Sequence, residues 1–363
     1  WTYPNFIALL DELGVASQPS SMSFAVHDAH SGLEYNGTSF NTLFAQRTNL
    51  LRPSFWRMLR DIVRFNREAP DLLATPGDDT TLGIYLAQRA YSREFIEHYV
   101  VPMGAAIWST DATRIRDFPV QGFIRFFHNH GMLSVDCRPQ WRTICGGSAR
   151  YVERLTAGFR DRIRLGTAVR TLRRVGGSVF VGTRDHDAER FDAAFVACHS
   201  DEALRMLADA SGAEREVLGA ITYQRNEAVL HTDTRLLPRN RRAWAAWNYH
   251  IPEVPAQRVA LTYNMNVLQS LDSPQPFLVT LNRSDAIDPR RIIKRMAYDH
   301  PLFTPAAVAA QLRQQEINGP LDTYYCGAYW RNGFHEDGVV SALCALQHFQ
   351  GRIDAQRTLY RAG

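Results

Sequence analysis

At 363 residues and 41.2 kDa the chain can hold two medium domains or one large interleaved one, and 45% hydrophobic with 21% charged residues excludes a disordered polymer. The formal charge of +4 is modest, and the densest basic group, Arg239, Arg241 and Arg242, reads as a solvated loop, so no nucleic-acid partner is expected. No run approaches roughly 18 uninterrupted apolar residues, so no transmembrane segment is expected.

Of the 41 basic residues only Lys294 is a lysine. Five cysteines (Cys137, Cys145, Cys198, Cys326, Cys344) make no CxxC pair, which suits reduced thiols and a cytoplasmic location. The opening WTYPNFIALL has no Met and no strand before its first helix, and is expected to lie partway into a longer chain.

In chain order, YPNFIALLDELG reads as a helix stopped by Gly14. MSFAVHD and LEYNG follow as a short hairpin. From Ser39 to about Ile115 the pattern is helical, with Pro53 at a helix start and Trp56, Leu59, Ile62 and Val63 on one face. Gly146-Gly147 predicts a tight turn, with Ser148 capping an amphipathic helix from Tyr151. RIRL, TAVRTLRRV, SVFVGT and RFDAAFVAC read as strands, the second and third joined by Gly176-Gly177. AAFVAC predicts a strand covered on both faces, running into a helix capped near Ser200 or Asp201. Such junctions are where α/β proteins put ligands. EAVLHT, AWAAWNYH, RVALTYNMNVLQSL and PFLVTLNR then suggest an antiparallel sheet, and a helix over Pro305–Glu316 leads to YYCGAYWRNGFHEDGVVSALCAL.

The last stretch carries the chemistry. Gly327-Ala328 permit close backbone approach, and Asp337-Gly338 start a helix whose free N–H groups favour an anion or an electron-rich ring edge. The other reading has Asp337 capping its own helix while His335 and Glu336 lie in solvent. His128 and His130 have strand spacing for a metal, but nothing nearby completes a site, and no metal is expected. His199-Ser200 lack a Gly-x-Ser-x-Gly elbow, which leaves a backbone contact or a cap. Trp244, Trp247 and Tyr249 on one strand form either core or an apolar substrate pocket. Neither GxGxxG nor GxxxxGK[ST] occurs.

RPQWRTICGGSARYVERL, TAVRTLRRVGGSVFV, FDAAFVACHSDEALRML, LTYNMNVLQSL, FLVTLN and CGAYWRNGFHEDGVVSALCAL occur in this order. Together they resemble bacterial NAD/FAD-binding oxidoreductases of the flavin-containing amine oxidase superfamily, whose fold also covers protoporphyrinogen oxidase, phytoene desaturase and monoamine oxidase. The resemblance spans essentially the whole chain.

It implies a mixed α/β (α+β) fold. A Rossmann-like FAD-binding domain, incomplete here, would be interleaved with an antiparallel-sheet substrate domain and a helical subdomain. The expected segments are a substrate-domain start over 1–38, a helical subdomain over 39–130 and a substrate-domain segment over 131–145. After them come an FAD-binding segment over 146–212, the sheet domain over 213–320 and a second FAD-binding segment over 321–363. The GxGxxG unit of the family would precede Trp1, so the affinity of this chain alone for FAD is expected to be weak.

By resemblance, the Val169 backbone would hold the adenine, and Ala197, Cys198 and His199 would pass near the dinucleotide. Gly327, Ala328 and the Glu336-Asp337-Gly338 helix start would face the ribityl chain and the pyrimidine edge, with His335 the one candidate polar residue near the flavin. Many amine oxidases use a lysine near flavin N5, whereas Lys294 lies in no pocket motif. The expected activity is FAD-dependent oxidation of a small hydrophobic substrate, with a lipid or acyl chain and a peripheral membrane contact as its extensions. The competing expectations are a redox-neutral flavin-dependent isomerase and a non-catalytic lipid- or partner-binding module.

Overall fold

The structure, a computed structural model, describes residues 2–74, 80–134, 139–184, 186–254 and 258–362, with side chains described as far as residue 354. Cys137 lies outside the described residues. Two compact units are present, each assembled from separated stretches of chain. Unit 1 comprises Trp1–Gly14, Tyr151–Tyr223 and Pro301–Gly363; unit 2 comprises Val15–Arg150 and Gln224–His300. The helix Pro4–Glu12, expected to open the substrate domain, therefore lies in unit 1, as does the stretch 301–320.

Unit 1 is mixed α/β. Val169–Val175, Ser178–Thr183 and Glu189–Phe191 form an antiparallel meander. Its first turn is made by Gly176 and Gly177 at φ 58° and 73°, the left-handed pair that a two-residue hairpin needs. Ala194–Val196 and Thr323–Tyr325 make a parallel pair, although nearly 130 residues of chain separate Val196 from Cys326. RIRL forms no strand: a 3-10 turn over Ala157–Arg162 runs into a left-handed Gly166. AAFVAC is also less enclosed than its composition suggests, because Phe195 keeps an exposed face while stacking on Tyr324 at 5.0 Å.

The interior of unit 1 joins Leu172, Val179, Val196, Val217, Leu218, Tyr325 and Trp330. Inside it lies a charged bridge. The Arg174 guanidinium donates to both Glu214 carboxylate oxygens at 2.8 Å and to the Tyr325 hydroxyl at 3.2 Å. The Tyr325 hydroxyl donates in turn to Glu214. One residue from the meander, one from the helix Gly212–Gly219 and one from the parallel pair are fastened together.

Unit 2 is built on a seven-stranded sheet. The order is Ile292–Pro301, Tyr223–His231, Leu278–Leu281, Leu261–Asn264, Trp247–Ile251, Phe24–Asp28, Leu33–Asn36. The expected antiparallel sheet is corrected to a mixed one: Trp247–Ile251 runs parallel to Phe24–Asp28, which brings the early hairpin onto its edge. LTYNMNVLQSL is a strand only to Asn264, whose side chain accepts the Asn266 N–H and starts the helix Met265–Gln269. The ten-residue strand Ile292–Pro301, whose pattern is mostly exposed, has no alternation that would announce it. FHNHG lies on the helix Val120–Asn129 and its C-cap, not on a strand, and His130 stacks on Phe126 at 3.9 Å.

The helical part of unit 2 is less regular than its pattern. Between Leu82–Gln88 and Val101–Trp108 the chain makes one turn of π-helix over Ile96–Val100. Pro102 has no N–H, so the His98 carbonyl four residues earlier loses its helical donor. The buried Tyr35 hydroxyl takes that carbonyl at 2.6 Å. Two residues on, a Cβ at Gly104 would stand 2.7 Å from Ile115 Cγ1 and 2.8 Å from Phe123 Cε2, so only glycine lets this helix pack there.

Two outcomes test these arrangements. Tyr35→Phe removes the hydroxyl from the half-buried His98 carbonyl and lowers the unfolding free energy by about 1 kcal/mol in urea titrations. The Glu214 case depends on pH. Burial alone would raise its carboxyl, but hydrogen bonds from Arg174, Tyr325 and the Ser211 N–H hold it below the ordinary 4.5. A depressed carboxyl stabilises fully above 4.5, and its contribution fades as pH falls through the lower folded value. Glu214→Gln therefore costs about 3–5 kcal/mol at pH 7, and the loss shrinks in urea titrations taken through the acid range.

Candidate functional site

The parallel pair sets the site. Val196 lies opposite Tyr325, and the Cys326 N–H donates to the Val196 carbonyl at 3.1 Å. Beyond that bond Ala197-Cys198 and Gly327-Ala328 leave the strands side by side, at the carboxyl ends where open α/β sheets receive ligands. Ala197 is exposed and Cys198 is half-buried, its thiol pushed up to about 11 chiefly by burial. It is therefore a neutral thiol at pH 7. His199 stacks on Tyr223 at 4.4 Å, while the Tyr223 hydroxyl accepts the Ser200 N–H at 2.9 Å. The helix over Ser200–Met206 is thus held by tyrosine rather than by the expected Ser200 or Asp201 cap.

Gly327 is confined. A Cβ there would lie 2.7 Å from Tyr329 Cδ1, and its N–H donates to Ser341 Oγ at 2.8 Å. Ser341 in turn donates to the Gly338 carbonyl at 2.8 Å, tying the strand end to the first turns of the last helix, His335–Ala362. Trp330 closes the loop, its indole N–H on the Tyr325 carbonyl at 3.1 Å. The Tyr329 hydroxyl is buried beside this loop without a partner among the described residues. Tyr329, Trp330 and Ser341 were not singled out by sequence reasoning. Only the aromatic pair after Gly327-Ala328 signals them.

The helix starts at His335, two residues before the expected Asp337. Asp337 accepts the N–H groups of Phe334 at 2.9 Å and Asn332 at 3.2 Å, so it caps its own approach, and burial pushes its carboxyl up. Glu336 does not lie in solvent. Its carboxylate accepts the N–H groups of Asn5 at 3.2 Å and Phe6 at 2.8 Å, and the Asn5 side-chain amide at 2.6 Å. These are first-turn donors of the helix Pro4–Glu12, whose N-cap Tyr3 supplies no side-chain acceptor. Glu336 is the missing cap. What the helix start leaves for a ligand is its own backbone: the first-turn N–H groups and the positive end of the dipole. The His335 ring packs edge-on against Phe6 at 4.8 Å and Tyr151 at 5.9 Å.

Val169 begins the meander beside an irregular register at Thr171 and, like Cys198, packs on the core containing Val196 and Tyr325. In unit 1, Val169 and Cys198 thus pack on one core, while Ala197, Gly327 and Ala328 follow the paired strands Ala194–Val196 and Thr323–Tyr325, with Gly338 tied to Gly327 through Ser341. In unit 2 the three aromatics separate. Trp244 follows a 3-10 turn and donates its indole N–H to the Pro238 carbonyl at 2.8 Å, so it is not on the strand. Trp247 and Tyr249 share one strand face and one core, Trp247 edge-on to Tyr263 at 5.1 Å. Gly146 and Gly147 make the expected turn at φ 76° and 84°. Lys294 is exposed on the strand Ile292–Pro301.

A meander, a distant parallel strand and a glycine-bearing strand end leading into a long helix make a mixed α/β unit whose strand ends suit a dinucleotide. The chain belongs to the flavin containing amine oxidoreductase family, whose model matches residues 1–240. No curated protein sequence matches it. Among solved structures it is similar to cyclohexylamine oxidase from Brevibacterium oxydans IH-35A, with TM-score 0.64 and 13% identity over 95% of this chain and 86% of that one. Putrescine oxidase bound to putrescine gives TM-score 0.61 and 13% identity over 96% and 87%. A fatty acid isomerase from P. acnes gives 0.63 and 13% over 95% and 84%. The protein is an FAD-dependent enzyme of the oxidoreductase class.

The cap can be tested alone. Glu336→Ala is expected to cost about 1–2 kcal/mol and to raise amide exchange selectively at Asn5 and Phe6, read by hydrogen-exchange mass spectrometry.

Proposed function

We propose that the protein oxidises a small hydrophobic substrate, possessing an alkyl or acyl chain, at a C–H or C–N bond. The observation that carries this reading is the paired strand end, where Ala197, Cys198, Gly327 and Ala328 offer small side chains and reachable backbone. Those residues suit FAD: small side chains stand at both strand ends, and the helix start beyond Gly327 presents N–H groups to an electron-rich edge. When bound, FAD supplies the hydride acceptor.

The chain's own part is placement. In this reading Val169 holds the adenine by its backbone, Ala197, Cys198 and His199 line the dinucleotide, and the His335–Gly338 turn steadies negative charge at the ring edge. The imidazole of His335 is the candidate polar side chain there, and Glu336 contributes through its backbone only, its carboxylate being held by Asn5 and Phe6. In this proposal the FAD-binding segments 146–212 and 321–363 fall almost wholly in unit 1, together with Pro4–Glu12 and the stretch 301–320, and the substrate-bearing part is confined to 15–38, 131–145 and 224–300. Tyr249 backs this part of unit 2 from its core, and the half-buried Trp247, whose Nε1 has no partner among the described residues, is the residue offered to a substrate. No helix among the described residues is long and apolar enough to cross a membrane. A cytoplasmic location belongs to the proposal.

A second reading, a redox-neutral double-bond isomerisation, is favoured by the similarity to a fatty acid isomerase. It differs in turning over without consuming an electron acceptor.

The purified full-length protein, titrated with FAD, is expected to show the two-band visible spectrum of bound flavin. Ala197→Glu, at an exposed position, sets a carboxylate against the pyrophosphate and raises the FAD Kd about tenfold or more, roughly 1.4 kcal/mol. Anaerobic mixing with long-chain amines and acyl substrates then bleaches the visible band. Failure to bind FAD would sink the reading, and turnover without bleaching or acceptor use would replace it with the isomerase.

A further inference from the structure

The helix Pro53–Glu68 in unit 2 buries Phe55, Met58 and Phe65 on one side. Its opposite side follows Trp56, Arg60, Val63 and Arg67 at helical spacing, all exposed. The 3-10 turn Arg47–Leu51, with Leu51 86% exposed, and the short helix Phe40–Leu43, with Phe40 70% exposed, extend this surface. The apolar groups are contiguous. Phe40 packs on Phe44 at 4.7 Å, Phe44 on Trp56 at 5.5 Å, and the Trp56 indole N–H donates to the Leu50 carbonyl at 2.9 Å. Leu50, Leu51, Pro53, Trp56, Arg57 and Arg60 line an open surface groove.

The charge on this surface has one sign. Between residues 39 and 68 the chain holds six arginines against two acids, Asp61 and Glu68. Asp61 is 2% exposed and faces inward, accepting the Ser92 N–H at 2.9 Å. Glu68 is half-buried, taking Arg64 and the Tyr91 hydroxyl. Arg57 is paired with Glu94; Arg60 and Arg67 lie only at the limit of ion pairing, 3.9 Å from Asp61 and 3.8 Å from Glu68, and with Arg47 stand exposed around the apolar ridge.

We propose that this face docks on an anionic lipid bilayer. The bulky groups Leu51, Phe40 and Trp56 enter the headgroup region, and Arg47, Arg60 and Arg67 reach lipid phosphates. A helix lying flat with arginines flanking a Trp–Leu ridge is the geometry of interfacial binding. The negative surface of such a bilayer complements the arginines. A second copy of the chain would bring like charges together. A nucleic-acid backbone would leave Leu51 and Phe40 with nothing apolar to meet. This proposal involves no flavin and stands or falls apart from the catalytic one.

The full chain is sedimented with vesicles of phosphatidylcholine alone and of phosphatidylcholine with phosphatidylglycerol at about three to one. Binding to the anionic vesicles is expected to exceed binding to the neutral ones at least about tenfold and to weaken with added salt. Leu51→Ser and Arg60→Glu, both at exposed sites, are each expected to reduce it about fivefold or more with unchanged circular dichroism and Tm. Equal binding to both vesicles, or none, overturns the proposal. So does Leu51→Ser binding as the parent does, because the contact would then be charge adsorption without insertion. Equally strong, Leu51-dependent capture by soluble polyglutamate would overturn it in favour of an acidic protein partner.

Discussion

Arg174 sits inside unit 1 with its side chain only 3% exposed, and its charge is met there by Glu214 at 2.8 Å. Burying an ion pair costs more solvation than a hydrophobic pair of the same size, so its presence is explained by position rather than by net stability. Arg174 belongs to the meander, Glu214 to a helix and Tyr325 to the last strand, and the fork geometry admits one arrangement of the three. Gly327 is two residues past Tyr325. The strand end that defines the site therefore inherits its placement from a bond network on the far side of the same residue. Tyr324, Tyr325 and Thr323 are fully buried, which leaves this strand no freedom to slide.

Orphaned backbone groups explain much of the remaining architecture. Pro102 frees a carbonyl that Tyr35 satisfies, and Tyr3 leaves N–H groups that Glu336 satisfies. In both cases the partner comes from a distant part of the same unit, so a local defect becomes a long-range tie. The same economy limits function: a carboxylate that caps one helix is no longer a free acid at the mouth of another.

The sequence was most legible where local chemistry decides. Gly14 ends the first helix, Gly176-Gly177 turns the meander, and Pro53 opens its helix as the pattern requires. Strand direction was not legible: nothing in MSFAVHD says that it will lie parallel to WNYHI from more than two hundred residues later. Asn264 was missed because an Asx cap looks like one more polar residue in an alternating run. The site divided in the same way. The small residues at the strand ends could be marked, since only such residues admit a backbone approach. The job of Glu336 could not, because its partners are Asn5 and Phe6, and a one-dimensional pattern contains no sign of them.

That tie has a consequence for how the chain is made. Asn5 leaves the ribosome 331 residues ahead of Glu336, and the strand Ala194–Val196 waits for Thr323–Tyr325. Most of unit 2 is synthesised in between, complete by His300. Contacts so distant in sequence form slowly, because the loop must close before they reward it. The strand pair that sets the site in unit 1 thus forms only after the unit 2 stretch to His300 has been synthesised. Until Thr323–Tyr325 emerges, Ala194–Val196 is a strand without its partner, an edge prone to wrong pairing.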